Sequence, residues 1–214
     1  MYDQVSQDYW YRFWNIPPDG SEDADLLAIA GHILGGGKTS RLYERLVYRD
    51  RLADSASAGP SAFEIAGIFS MTAAVKAGVE PARVEAAMQE ELRRFIAKGP
   101  TKEEMERART ALRSDFLKGL ERIGGFGGKA DVLAACEVYE GDPGCYRRSL
   151  ELLRTATPEQ VRAAAERWLS RGDFTIDVRP QPKYQNAAAS AVDRKSGPPA
   201  VETFPALAFP DLQR

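Results

Sequence analysis

Apolar positions along this chain follow two rhythms, one of period two and one of period 3.6, and the changes between them mark out its elements. Tyr9-Trp-Tyr-Arg-Phe-Trp-Asn-Ile16 is dense in aromatics and stops at Pro17-Pro18-Asp19-Gly20, which predicts a strand closed by a turn. Ser21 then suits the N-cap of a helix whose apolar residues Leu26, Ile29, Ala30, Ile33 and Leu34 share one face. Gly35-Gly36-Gly37 is read as its end. A second helix is expected from Thr39 or Ser40, turning Leu42, Leu46 and Tyr43 inward. Two strands follow, Ala53 to Ala58 and Phe63 to Val75, around a turn at Gly59-Pro60-Ser61. In the longer one, Phe63, Ile65, Gly67, Phe69, Met71, Ala73 and Val75 have one parity, as a half-buried strand requires.

Helical spacing dominates from Pro81 onward. Val84, Met88, Leu92, Phe95 and Ile96 form one stripe, closed by Gly99-Pro100. Thr101 and Glu104 have capping-box spacing and open a long helix expected to bury Met105, Ala108, Leu112, Phe116 and Leu120. Gly124-Gly-Phe-Gly-Gly128 interrupts the pattern and reads as a loop between helices. Further helices are expected near 129–140 and 145–154. Another starts at Thr157-Pro158-Glu159-Gln160 and carries Val161, Ala165, Trp168 and Leu169. A last strand alternates Phe174, Ile176 and Val178. Because strands and helices do not alternate one for one, the order predicts an α+β fold: a mixed or antiparallel sheet with helices packed on one face. Residues 1–180 form the expected domain. Residues 181–214, rich in Ala, Ser, Pro and Lys without periodicity, read as a linker toward a further domain.

Composition narrows the function. With 214 residues, 43% of them hydrophobic, the chain can bury one substantial core. Its 29 Lys and Arg are interspersed with 31 Asp and Glu, so no basic face is set out for phosphates, and nucleic acid is not an expected partner. No apolar stretch approaches the roughly 20 residues that cross a bilayer, and the first residues lack the basic start and apolar run of a signal peptide, so no membrane role is expected. The two cysteines, Cys136 and Cys145, are too few for a disulfide framework and read as a buried thiol and a loop thiol; a bridge between them through Gly141-Asp-Pro-Gly144 is the alternative left open.

Candidate chemistry is scarce. Gly35-Gly-Gly-Lys38-Thr39 approaches a phosphate loop, but His32 stands where the first glycine belongs and a helix, not a strand, leads in. His32 is the only histidine. A hydrolytic zinc needs about three side-chain ligands, usually two of them histidines, and a serine or cysteine nucleophile needs a histidine base. One histidine inside an apolar helix supplies neither, so no catalytic and no metal-binding residue is assigned. Near the end of that helix, His32 reads as a partner of the helix dipole or of a carbonyl.

Ile33-Leu-Gly-Gly-Gly-Lys-Thr-Ser-Arg-Leu-Tyr-Glu-Arg-Leu46 resembles the "LGGG-x-x-SRLY-x-x-L" segment of the pitrilysin/insulinase metallopeptidases, a family that includes the mitochondrial processing peptidases. Thr101-Lys-Glu-Glu-Met-Glu-Arg-Ala108 resembles its "T-x-E-E-L-x-R-A" helix start. Thr157 to Ala165 with Phe174 to Val178 resembles its last helix and strand. Together these span about residues 5–180 in the right order.

The resemblance implies a domain used in tandem, one copy binding zinc through H-x-x-E-H and a distant glutamate while homologous copies close over it around unfolded peptide. This chain has no H-x-x-E-H, so it corresponds to a non-catalytic copy: zinc is expected in a homologous partner domain, in the same or another chain, and none here. Some such copies lend an arginine and a tyrosine seven positions apart, which fall here at Val47 and Asp54, so that pair is missing. Gly35, Gly36, Gly37, Asp54 and Ser55 are the positions expected nearest a substrate or domain interface. The implied role is to close a proteolytic chamber and contact peptide, with a pure scaffold as the alternative. Phe204 to Arg214 resembles the lead-in to another domain, which makes an inner domain of a longer protein the expectation. The resemblance allows a bacterial periplasmic setting, and no residue here specifies a compartment.

Overall fold

A computed structural model describes residues 1–170 and 172–181. The linker expected over 181–214, with its lead-in resemblance, lies outside them except for Gln181. The chain runs β1 (Tyr2–Asp3), β2 (Tyr9–Ile16), α1 (Glu22–Gly35), a π-helical segment (Tyr43–Arg49), β3 (Ala53–Ala62) and β4 (Gly67–Val75). It continues through α2 (Pro81–Lys98), α3 (Lys102–Gly119), α4 (Lys129–Glu140), α5 (Tyr146–Thr155), α6 (Pro158–Leu169) and β5 (Asp173–Pro180).

The caps that the sequence announces are made. Ser21 Oγ accepts from the Ala24 amide at 3.3 Å, and both Thr101 with Glu104 and Thr157 with Gln160 close reciprocal capping boxes. The sheet order is β1-β5-β2-β4-β3, with β1 parallel to β5 and every other neighbour antiparallel. The fold is therefore α+β with a mixed sheet. β1 was not expected, since two residues are too short to show a period.

One face of the sheet carries the core. Trp10 and Trp14 of β2 and Phe69 and Met71 of β4 are at most 1% exposed and pack against Leu27, Ile29 and Leu34 of α1, Met88 and Phe95 of α2, and Val161 and Ala165 of α6. The opposite parity forms the other face: register sets Phe174, Ile176 and Val178 beside Phe13, Tyr11 and Tyr9, whose rings stack at 6.0–6.1 Å. Across β4 and β3 this same face turns small and hydroxylated, with Ser70, Thr72, Ser55 and Ser57.

Three expectations need correction. The hairpin turn is Phe63–Ala66, not Gly59-Pro60-Ser61: β3 runs through Pro60, which an edge strand tolerates because one side of it needs no N–H donor. Phe63 and Ile65, placed in a strand, are instead exposed at the hairpin tip. The second helix is π-helical, with the Asp50 amide bonding the Arg45 carbonyl at 2.8 Å, five residues back. Finally, α3 fully buries only Met105 and Ala108; Leu112, Phe116 and Leu120 are half-exposed, and Leu112 and Phe116 border a cavity shared with α1, α4 and α5 instead of packed core.

Candidate functional site

The five positions expected near an interface lie along one side of the domain, where α1 ends against β3. α1 continues through Gly35, and the reason for glycine there is tertiary. A Cβ on Gly35 would stand 1.9 Å from the Ala58 amide nitrogen, and one on Gly31 2.7 Å from Gly59 Cα, so the two glycines, one turn apart, let the β3 backbone lie directly on the helix. Gly36 is half-buried over His32, whose carbonyl accepts its amide at 2.8 Å. Gly37 has φ +99° and open space around it, a conformation that favours glycine. Its carbonyl accepts from buried Ser40 Oγ at 2.7 Å.

On the strand, Ala53 pairs with Val75 and Ser55 with Ala74, so Asp54 is the extra residue of a β-bulge. Its carboxylate is exposed and accepts from Gln7 Nε2 at 3.0 Å, an amide shared with the Val75 carbonyl. Asp54, Ser55 and Gly37 are thus at the surface, whereas Gly35 is packing. Among the described residues β3 is the long unpaired edge of the sheet, bounded by the bulge at Asp54 and by Pro60, two devices that restrict pairing. Between them lies Ser55–Gly59.

Val47, where the missing arginine would stand, is half-buried against the core and lines a recess with Tyr43, Tyr48, Arg49, Arg51 and Lys76. Three cations and two phenols therefore surround an aliphatic side chain. Arg51, which links the π-helical segment to β3, has φ +52°, the one non-glycine residue described with a positive φ. Sequence reasoning missed this recess, because the wide π turn changes which side chains share a face.

The arginine of Ser40-Arg-Leu-Tyr43 has a structural role. Arg41 donates from Nε and Nη2 to the two Glu104 carboxylate oxygens at 2.7 Å each and from Nη2 to the Gly99 carbonyl at 2.9 Å, with its guanidinium over the Phe95 ring at 5.1 Å. Two sequence segments 60 residues apart are thereby locked together. Burial works against the Glu104 carboxylate, but Arg41 and the Thr101 amide outweigh it and hold its pKa below the ordinary range. Arg45 holds the π-helical segment to α2 through Glu90 at 2.6 Å and the buried Glu91 at 2.9 Å.

Zinc does not fit the described residues. No group of three or more His, Cys, Asp or Glu side chains is placed to hold a metal ion among them. His32 shares a small recess with Glu104, whose oxygens are committed to Arg41, and burial pushes the imidazole pKa down, with Asp115 acting weakly the other way. Nor is any described helix long and apolar enough to cross a membrane. Cys136 and Cys145 are joined in a disulfide, which corrects the reading of two separate thiols in favour of the alternative.

Comparison with known proteins agrees with this arrangement. Residues 2–112 match the family described as the peptidase M16 inactive domain. The chain belongs to that family. It is 28% identical over 148 residues to an uncharacterized zinc protease of Streptomyces coelicolor, covering 68% of this chain and 31% of that protein. Its fold is similar to the crystal structure of an inactive peptidase domain from Bordetella parapertussis, with TM-score 0.74 and 21% identity, over 88% of this chain and 98% of that one. A protease from Helicobacter pylori gives TM-score 0.74 at 17% identity, over 84% of this chain and 43% of that one. This M16 domain thus spans about a third of the curated relative's length.

Proposed function

We infer that this M16 inactive domain closes the chamber of a zinc metallopeptidase, contacting unfolded peptide while a homologous partner domain holds the zinc. The observation that carries the reading is the free β3 edge. Over Ser55–Gly59 it can accept an extended peptide as an added strand, the bulge and Pro60 setting the ends of the register. Five residues of strand reach about 17 Å, enough for a short extended segment and no more. Beside it, the open sheet face offers hydroxyls near β3 and stacked aromatics near β2. Arg51 and Lys76, which line the recess around Val47, support contact with a peptide carboxylate.

The test is peptide binding by the domain joined to a zinc-bearing M16 partner, followed by amide chemical shifts and by cleavage of a quenched fluorescent peptide. Shifts confined to Ser55–Gly59 and the adjoining open face, with cleavage lost in a Ser57→Pro variant that still assembles, are expected. Loss of assembly with unchanged peptide binding would instead make the domain a scaffold. Stoichiometric zinc in the isolated chain, measured by elemental analysis, would overturn the division of labour.

A further inference from the structure

A cavity of about 350 Å³ lies between α1, α3, α4 and α5, and the chamber role makes no use of it. That volume is in the range of small-molecule sites. Ile29, Leu112, Phe116, Val132, Leu150 and Leu153 make its walls apolar. Asp19 and Asp25 stand at one end, with Ser149 beside them.

These two carboxylates have no direct ion-pair partner. Among the described residues, neither Asp19 nor Asp25 forms an ion pair. The neighbouring guanidinium of Arg148 is committed to Glu140 and to the Gly20 carbonyl, which it bonds at 3.0 Å. Burial raises the Asp25 pKa, and Asp19 and Glu140 add repulsion; a hydrogen bond from Ser149 and the more distant charge of Arg148 act the other way. An apolar chamber closed at one end by an unpaired carboxylate is complementary to a molecule with an ammonium head and an apolar body. A half-buried carboxylate without a direct ion-pair partner, as Asp25 is, gains from a cation that arrives with its own apolar cover.

We propose that this cavity binds small amphiphilic amines, with the ammonium at Asp25 and Asp19 and the alkyl portion between Leu112, Phe116, Val132 and Leu150. The disulfide belongs to the site. Cys136 is the one fully buried side chain of α4, so the bond to Cys145 is what keeps that wall of the cavity against α5.

The test uses the full chain, with n-octylamine as the probe and octan-1-ol and octanoate as controls, by titration calorimetry and methyl chemical shifts. Octylamine is expected to bind and to shift Ile29, Val132 and Leu150. Octanol should bind about tenfold more weakly, the factor a charge-assisted hydrogen bond supplies, and octanoate not at all. Asp25→Asn should lose about the same tenfold for the amine while leaving octanol unchanged. Ala135→Phe, which fills the cavity from α4, should abolish binding of both, with the sheet resonances unmoved. Equal affinity for amine and alcohol, an unaffected Asp25→Asn variant, or the absence of any binding would overturn the proposal.

Discussion

The domain has two regions built in different ways. The sheet with α1, α2 and α6 holds nearly all the large fully buried side chains, among them Trp10, Trp14, Phe69, Phe95, Leu27 and Met88. The lobe made by the end of α3 with α4 and α5 has little core: α4 buries only Cys136, α5 buries no residue fully, and Leu117, Ile123, Phe126, Leu133 and Val138 are exposed. The lobe is held instead by discrete ties. The Cys136–Cys145 bond and the Glu140–Arg148 pair join α4 to α5, and Arg109 of α3 bonds the Leu153 carbonyl at 3.2 Å and that of Ala156 at the end of α5. Burial sums over many contacts and tolerates the loss of few; ties can be cut one at a time.

The largest expected contrast is a truncation in each region. Trp14→Ala should cost about 4 kcal/mol in urea unfolding, because it empties a site packed edge-on against Phe69, whereas Leu133→Ala on α4 should change stability by less than about 0.5 kcal/mol. Comparable losses would mean that the lobe has a core of its own. Next is a glycine pair. Gly35→Ala must push the β3 backbone away and should cost about 3 kcal/mol, while Gly124→Ala, with open space around it, should cost next to nothing.

Cutting the disulfide with Cys136→Ser and Cys145→Ser should remove about 2.5 kcal/mol for a bridge of sequence separation 9, and only from the lobe. Hydrogen exchange should accelerate over 129–155 while β2 and β4 keep their protection. Uniform acceleration would show that the two regions unfold as one. The smallest effect concerns the tie that holds the start of α3 to the body. Arg41→Ala should cost about 2 kcal/mol at pH 7 by stranding the Glu104 carboxylate. Since the Glu104 pKa is lowered on folding from its ordinary 4.5, the pair contributes stability above pH 4.5 that is lost as the pH falls through the lower folded-state value. The variant should show a flatter acid limb over that window in urea titrations; an unchanged limb would rule the pair out as its source.

The two regions also differ in how legible they are. In the body, Val84, Met88, Leu92 and Phe95 lie on the buried face that their spacing predicts, and Ser21, Thr101 and Thr157 cap the helices expected of them. In the lobe, the same helical spacing suggested burial for Phe116 and Leu120, which instead border the cavity and the surface. Periodicity states which residues share a face, but not whether anything covers that face. At the candidate site, Asp54 and Ser55 are exposed, but the bulge that sets Asp54 apart follows from pairing register with β4, which no local pattern encodes.

By itself the sequence determined the α+β order, most helix boundaries and the presence of a single histidine, because caps, periods and residue types act locally or by count. Tertiary structure alone decided that β3 runs through Pro60 as an edge, that Gly35 yields space to a strand, that Arg41 reaches Glu104, and that Cys136 meets Cys145. Each of these is a contact between segments whose separation along the chain carries no local signal, and each is selected by the packing of the whole domain.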